Sequence, residues 1–224
     1  MNQRVLLGFG DSWAAGFGLD DVSNDAYLSV LAKQLEVPCE NYAVPSTGIP
    51  HLITQLKRFL NSSSYSSETH YTAIFFLSAV ERDIMFDDRG VEKEMQPRGQ
   101  TFEHYYKTIY SDDLAIFRLN TNLLALRQLC THYNINDYYL FGWQTPKLWA
   151  EIDLSKIWQQ GEKSLLDLFL LPDTMPNNRN VIFLKDSNNP YMIPAQAGNA
   201  KSGHPNQLGH KMIAQTLYNW ITIV

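Results

Sequence analysis

The stretch Val5-Leu6-Leu7-Gly8-Phe9-Gly10-Asp11-Ser12 decides how this chain is read. A short apolar run of this kind suits a strand buried on both faces of a sheet. The Gly-Asp-Ser that follows leaves a serine at the mouth of that strand. Towards the other end of the chain stands His204-Pro205-Asn206, just ahead of the closing helical stretch. Serine is a poor nucleophile at neutral pH and needs a neighbouring base to take its proton as it attacks. Imidazole exchanges protons near pH 7 and is the usual choice. Such partners meet in space and not in sequence, so Ser12 and His204 are the candidate nucleophile and general base.

Outward from this strand, strand-like and helical runs alternate, as in a parallel sheet covered on both faces. Helical spacing runs from Asp25 to Leu35 with Asn24 as its cap, and Glu40 to Val44 reads as a second strand. Pro50 to Leu60 reads as a helix, and Ala73-Ile74-Phe75-Phe76-Leu77 as a buried third strand. Asp83 to Tyr110 is the least regular part, and its Gly/Pro content suggests an insertion over one sheet edge, a lid. A long helix is expected from Ser111 to about Tyr133, a fourth strand over Tyr138 to Phe141, and a helix end over Leu165 to Leu170. Val181 to Leu184 is the expected fifth strand, and Asn206 to Ile223 closes the chain as an amphipathic helix. The expectation is an α/β fold: a three-layer α/β/α domain on a five-stranded parallel sheet of flavodoxin-like order. Ligands of such sheets sit beyond the carboxyl ends of the strands. Ser12, Gly48, the Ser78 to Asp83 segment and the loop before His204 all fall there.

Composition narrows the function classes. The 224 residues are 45% hydrophobic, enough for one substantial core, and no linker divides them, so a single domain spanning 1–224 is expected. Eighteen basic against 23 acidic residues give a net charge of −5. Without a basic run, nucleic acid and anionic membrane surfaces are poor partners. No stretch approaches the ~18 apolar residues of a membrane span. The apolar start is too short for a signal peptide, which points to a cytoplasmic protein and also fits a virus-encoded one released by lysis. Cys39 and Cys130 are then expected as reduced thiols. His51, His70, His104 and His132 lack the partners of a zinc site, and no phosphate-loop pattern occurs. Neither a metal nor an organic cofactor is implied.

Four short blocks of this chain resemble the SGNH, or GDSL-type, hydrolase family of esterases, lipases and carbohydrate deacetylases. Gly10-Asp11-Ser12 matches the first, which carries the nucleophile. Asn41-Tyr42-Ala43-Val44-Pro45-Ser46-Thr47-Gly48 is similar to the second, whose glycine lends an N–H to the oxyanion hole. The resemblance thus implies oxyanion donors from the Ser12 and Gly48 backbones. The third block departs from the pattern. The family's Gly-x-Asn-Asp supplies an asparagine donor, whereas this chain has Ser78-Ala79-Val80-Glu81-Arg82-Asp83. Depending on register, Arg82 or Val80 takes the asparagine's place. Arg82 either stabilises the oxyanion with a full charge or pairs with Glu81, Asp83 or Asp87.

In the fourth block, Ser202-Gly203-His204-Pro205-Asn206-Gln207-Leu208-Gly209-His210 places His204 on the family's general base, with His210 read as structural. The family's orienting aspartate is replaced by Lys201, which cannot accept an imidazole N–H. Asp186, on the long loop before it, is the candidate replacement; otherwise Ser12 and His204 act as a dyad. Trp143, after the fourth strand, either walls the pocket or packs in the core. The implied activity is serine hydrolysis of a small-molecule or carbohydrate ester, such as a short acyl or acetyl group. An acyltransferase on the same scaffold and a weakened binding module that keeps the fold are the alternatives. Nothing here sets the oligomeric state.

Overall fold

Side chains alternate across a strand, and the central strands of this chain are apolar on both sides, so helices must cover both faces of their sheet. The computed structural model describes residues 3–87, 89, 92–95, 102–143, 145–169, 189–193 and 203–223. Its strands are β1 (Arg4–Phe9), β2 (Cys39–Asn41), β3 (His70–Leu77), β4 (Asp83–Phe86), β5 (Glu92–Met95) and β6 (Ile135–Phe141). Four of them form a parallel sheet in the order β2-β1-β3-β6, while β4 and β5 pair antiparallel on their own. The expected fifth strand, Val181 to Leu184, lies outside the described residues.

Odd and even strand positions feed two separate cores. Leu6, Ile74, Phe76, Tyr138 and Leu140 face α2 (Tyr27–Leu35), α6 (Leu165–Phe169) and α7 (Gln207–Ile223). Leu7, Phe9, Phe75, Leu77 and Phe141 face α3 (His51–Leu60) and α5 (Asp112–His132). This is the three-layer α/β/α arrangement. Because β1 has β2 on one side and β3 on the other, the strand order reverses at β1. Such folds bind ligands beside the point of reversal, which here is at the carboxyl ends of β1 and β3.

Several boundaries differ from those the sequence suggested. Asp21, not Asn24, caps the first helical turn, α1 (Val22–Asp25), accepting the Asn24 N–H at 3.1 Å. The second strand is limited to Cys39–Asn41. β6 begins three residues before Tyr138 because its polar Asp137 is accommodated: the carboxylate is buried and paired with Arg127 of α5. The region expected to be irregular holds the β4–β5 pair and α4 (Glu103–Thr108). It is tied down at Asp83, which pairs with Arg118 and accepts the Tyr105 hydroxyl at 2.7 Å. No described helix is long and apolar enough to cross a membrane. Cys39 and Cys130 are free thiols.

α2 has no side-chain cap of its own. Instead the Tyr27 N–H donates to Nδ1 of His210, a fully buried residue of α7, at 3.1 Å. Gln207 adds a 2.7 Å bond to Asp25. The start of the last helix is thereby clasped to the start of α2. Burial, helped by the nearby His204, pushes the His210 imidazole down to about 4. The unfolded chain therefore binds a proton that the native state refuses between about pH 6.5 and 4. Stability from this residue is complete at neutral pH and is lost on acidification through that window, by about 3 kcal/mol. Urea unfolding at pH 7 and pH 4.5 should show this loss, and His210→Gln should shrink the difference between the two pH values.

Candidate active site

A buried strand that ends in a sharp turn must make it without leaving its backbone polar groups unpaired. Gly10 permits the turn: it has φ of +151°, and a Cβ there would come within 2.7 Å of both Ala14 and Phe76 Cβ. Its polar groups are met by Gln55 of α3, which accepts the Gly10 N–H at 2.9 Å and donates to the Gly10 carbonyl at 2.9 Å. Gln55 also donates to Thr47 Oγ1 at 3.2 Å, and that hydroxyl donates to the Val44 carbonyl at 2.8 Å. Ser78, at the end of β3, donates to the Thr47 carbonyl at 3.1 Å. Three loops after three different strands are thus joined by one buried set of hydrogen bonds.

The fold brings Ser12 and His204 together: His204 Nε2 lies 3.0 Å from Ser12 Oγ. His204 is held from behind by a short antiparallel bridge in which Ile193 N–H donates to its carbonyl at 2.8 Å and Gly203 N–H returns to Ile193 at 3.2 Å. Asn206 caps α7, accepting the Gly209 N–H at 3.0 Å and donating to the Pro190 carbonyl at 2.8 Å. The partly exposed Phe17 ring lies 5.1 Å from the His204 ring. Trp143 packs edge-on against Trp13, the residue after Ser12, at 4.4 Å. Asp186 and Lys201, the two residues considered for the far side of the imidazole, lie outside the described residues.

The geometry at Gly48 and Arg82 differs from what either residue suggests alone. The Gly48 N–H donates to Nδ1 of His51, the first residue of α3, at 3.2 Å, so the side chain at the helix start reaches back to the entering backbone. His51 was set aside in sequence; its spacing from Gly48 is the signal that could have drawn attention to it. The Gly48 backbone is in contact with Arg82: a Cβ would come within 2.8 Å of Arg82 Cβ and 2.9 Å of its carbonyl oxygen. Arg82 does not pair with Glu81, Asp83 or Asp87. Its Nη1 reaches Oδ2 of Asp11 at 3.3 Å and the Thr47 carbonyl at 3.4 Å.

Asp11 is fully buried and also accepts the Trp13 N–H at 3.0 Å. Burial pushes its carboxyl up to about 6, against the opposing pull of the Arg82 charge. Removing one partner of such a buried pair typically costs about 3–5 kcal/mol. No cluster of His, Cys, Asp or Glu suited to a metal ion occurs among the described residues.

No protein-family profile matches the chain, and no curated protein matches it in sequence. Solved structures do match in fold. A protein assigned to the lipolytic G-D-S-L family of Desulfitobacterium hafniense DCB-2 superposes with a TM-score of 0.51 at 10% identity, covering 98% of this chain and 99% of the other. A carbohydrate esterase superposes with a TM-score of 0.52 at 13% identity over 100% of this chain and 66% of the other. This chain therefore spans about two thirds of that esterase. These likenesses show a shared fold.

The central role of Gln55 can be measured. Gln55→Leu leaves the Gly10 N–H buried without an acceptor, which should lower stability by about 1–3 kcal/mol in urea unfolding.

Proposed function

With the SGNH hydrolase fold as its premise, we propose that this protein is a serine hydrolase of esters. The observation that carries this reading is the 3.0 Å approach of His204 Nε2 to Ser12 Oγ at the carboxyl edge of the sheet. In this reading Ser12 Oγ attacks the ester carbonyl carbon while its proton passes to His204 Nε2. The carbonyl electron pair moves onto oxygen, and the oxyanion is met by the Ser12 N–H and the Arg82 guanidinium. Gly48 contributes its N–H to the oxyanion only if the bond to His51 is released. Collapse of the intermediate breaks the ester C–O bond, and His204 returns the proton to the leaving alcohol. Water then repeats the sequence and frees the acid. The likeness to a carbohydrate esterase supports an ester substrate, and a short acyl or acetyl group on carbohydrate is the class we propose.

The test is labelling with a fluorophosphonate probe, in which an Oγ–P bond forms, the P–F bond breaks and fluoride leaves. Wild-type protein should be modified at Ser12. Ser12→Ala should show neither labelling nor turnover of an activated short-chain ester while keeping its fold by circular dichroism. Labelling at another residue would overturn the assignment.

The orienting partner of His204 is tested by kinetics. In a Ser-His dyad, Asp186→Asn and Lys201→Ala should each cost less than about tenfold in kcat. A loss approaching ~10⁴-fold in Asp186→Asn would make Asp186 the acid of a triad.

A further inference from the structure

We propose that Asp11 is the positioning residue of an oxyanion site built on charge, with Arg82 as its donor and Gly48 as the seat on which Arg82 rests. The proposal rests on the serine-hydrolase reading and adds what holds the charge in place. Three observations carry it.

First, the Gly48 N–H is already satisfied by His51 Nδ1, so its use as a donor would break a hydrogen bond. Glycine is nonetheless required at this position, because a Cβ would collide with the Arg82 backbone. The residue therefore serves by what it lacks. It lets the turn after β3 approach the loop after β2, and Arg82 in that turn reaches Asp11, the residue before Ser12.

Second, Arg82 uses only Nη1 within the described structure, on Asp11 and on the Thr47 carbonyl. Nη2 and Nε have no hydrogen-bond partner among the described residues, and the side chain is 22% exposed, so part of it reaches solvent. A guanidinium carries five N–H donors in a fixed fork. When one nitrogen is anchored, the others point in set directions and need little rearrangement as negative charge develops. Preorganised donors of this kind are the usual source of oxyanion stabilisation.

Third, the anchor is one residue from the nucleophile. The Asp11 side chain is wholly inaccessible and divides its oxygens: Oδ1 takes the Trp13 N–H and Oδ2 takes Arg82. It cannot touch substrate. Its part is to hold the turn that carries Ser12 and the guanidinium in one frame.

Chemical rescue of the fluorophosphonate reaction tests the proposal, because it needs no known substrate. Arg82→Ala should label at Ser12 about 10²- to 10³-fold more slowly than wild type. Guanidinium chloride at tens of millimolar, below denaturing levels, should restore at least tenfold of that rate in a saturable way, and urea should not. The Asp11→Asn/Arg82→Ala double variant should show no rescue, since the carboxylate that would hold the free ion is gone. Asn keeps an oxygen for the Trp13 N–H, so this outcome does not reduce to a lost turn. Arg82→Lys and Arg82→Gln provide the test if Arg82→Ala does not fold: Lys should retain more of the rate than Gln.

Wild-type labelling rates in Arg82→Ala, or Gln equal to Lys, would overturn the proposal while leaving Ser12 as nucleophile. Equal rescue with and without Asp11 would remove Asp11 from the positioning role. Failure of wild-type protein to label at Ser12 would overturn the hydrolase reading, and this proposal with it.

Discussion

The bonds that Gln55 makes to both polar groups of the Gly10 backbone are the interaction on which the site depends. A parallel sheet covered on both faces excludes water from its interior. A strand can leave it in a tight turn only if some other group replaces the water. Gln55 does so from α3, and reaches Thr47 as well. Through Thr47 the same network reaches Ser78 and Arg82, so the loops after β1, β2 and β3 hold one another in register. A buried polar network of this kind rigidifies its members when every one of them is satisfied. Without it, the turn carrying Ser12 would have no fixed relation to the residues around it.

The electrostatic arrangement follows from the same burial. A carboxylate enclosed directly behind Ser12 would disfavour negative charge there unless a cation opposed it. In this chain Asp11 faces the Arg82 guanidinium, so the negative group is matched by a cation that is itself partly open to solvent. Burial dominates over the attraction at Asp11, which is why its carboxyl sits near 6. His210 responds to burial in the opposite sense, remaining neutral well below the usual imidazole range.

Much of the scaffold was legible in the sequence. The continuous apolar runs at Val5 to Phe9 and Ala73 to Leu77 required a doubly covered sheet, and the Ser12–His204 approach followed from placing both at carboxyl ends of strands. The contacts that resisted reading are those in which a residue had several reasonable partners. Arg82 stands beside Glu81 and Asp83 in sequence, yet the turn closed by its N–H onto the Ala79 carbonyl carries it to Asp11 instead. Glycine before a helix suggests a free N–H; the spacing to His51 hints at a partner, and the path of α3 folds His51 back onto it. The capping of α2 by His210 spans 183 positions, beyond any local pattern. Asp137 broke the apolar alternation of β6, and its compensation by Arg127 is a tertiary fact.

The clasp between α2 and α7 bears on how the protein comes into being. Synthesis proceeds from the amino end, and early segments fold before late ones emerge. Ser12 and its turn can form as soon as β1, β2, β3 and α3 have left the ribosome. His204 arrives 192 residues after Ser12, and its placement rests on the seating of His210 against Tyr27. A nascent chain thus carries Ser12 without His204 beside it until α7 has emerged. The approach of His204 to Ser12 is completed only as α7 docks onto α2.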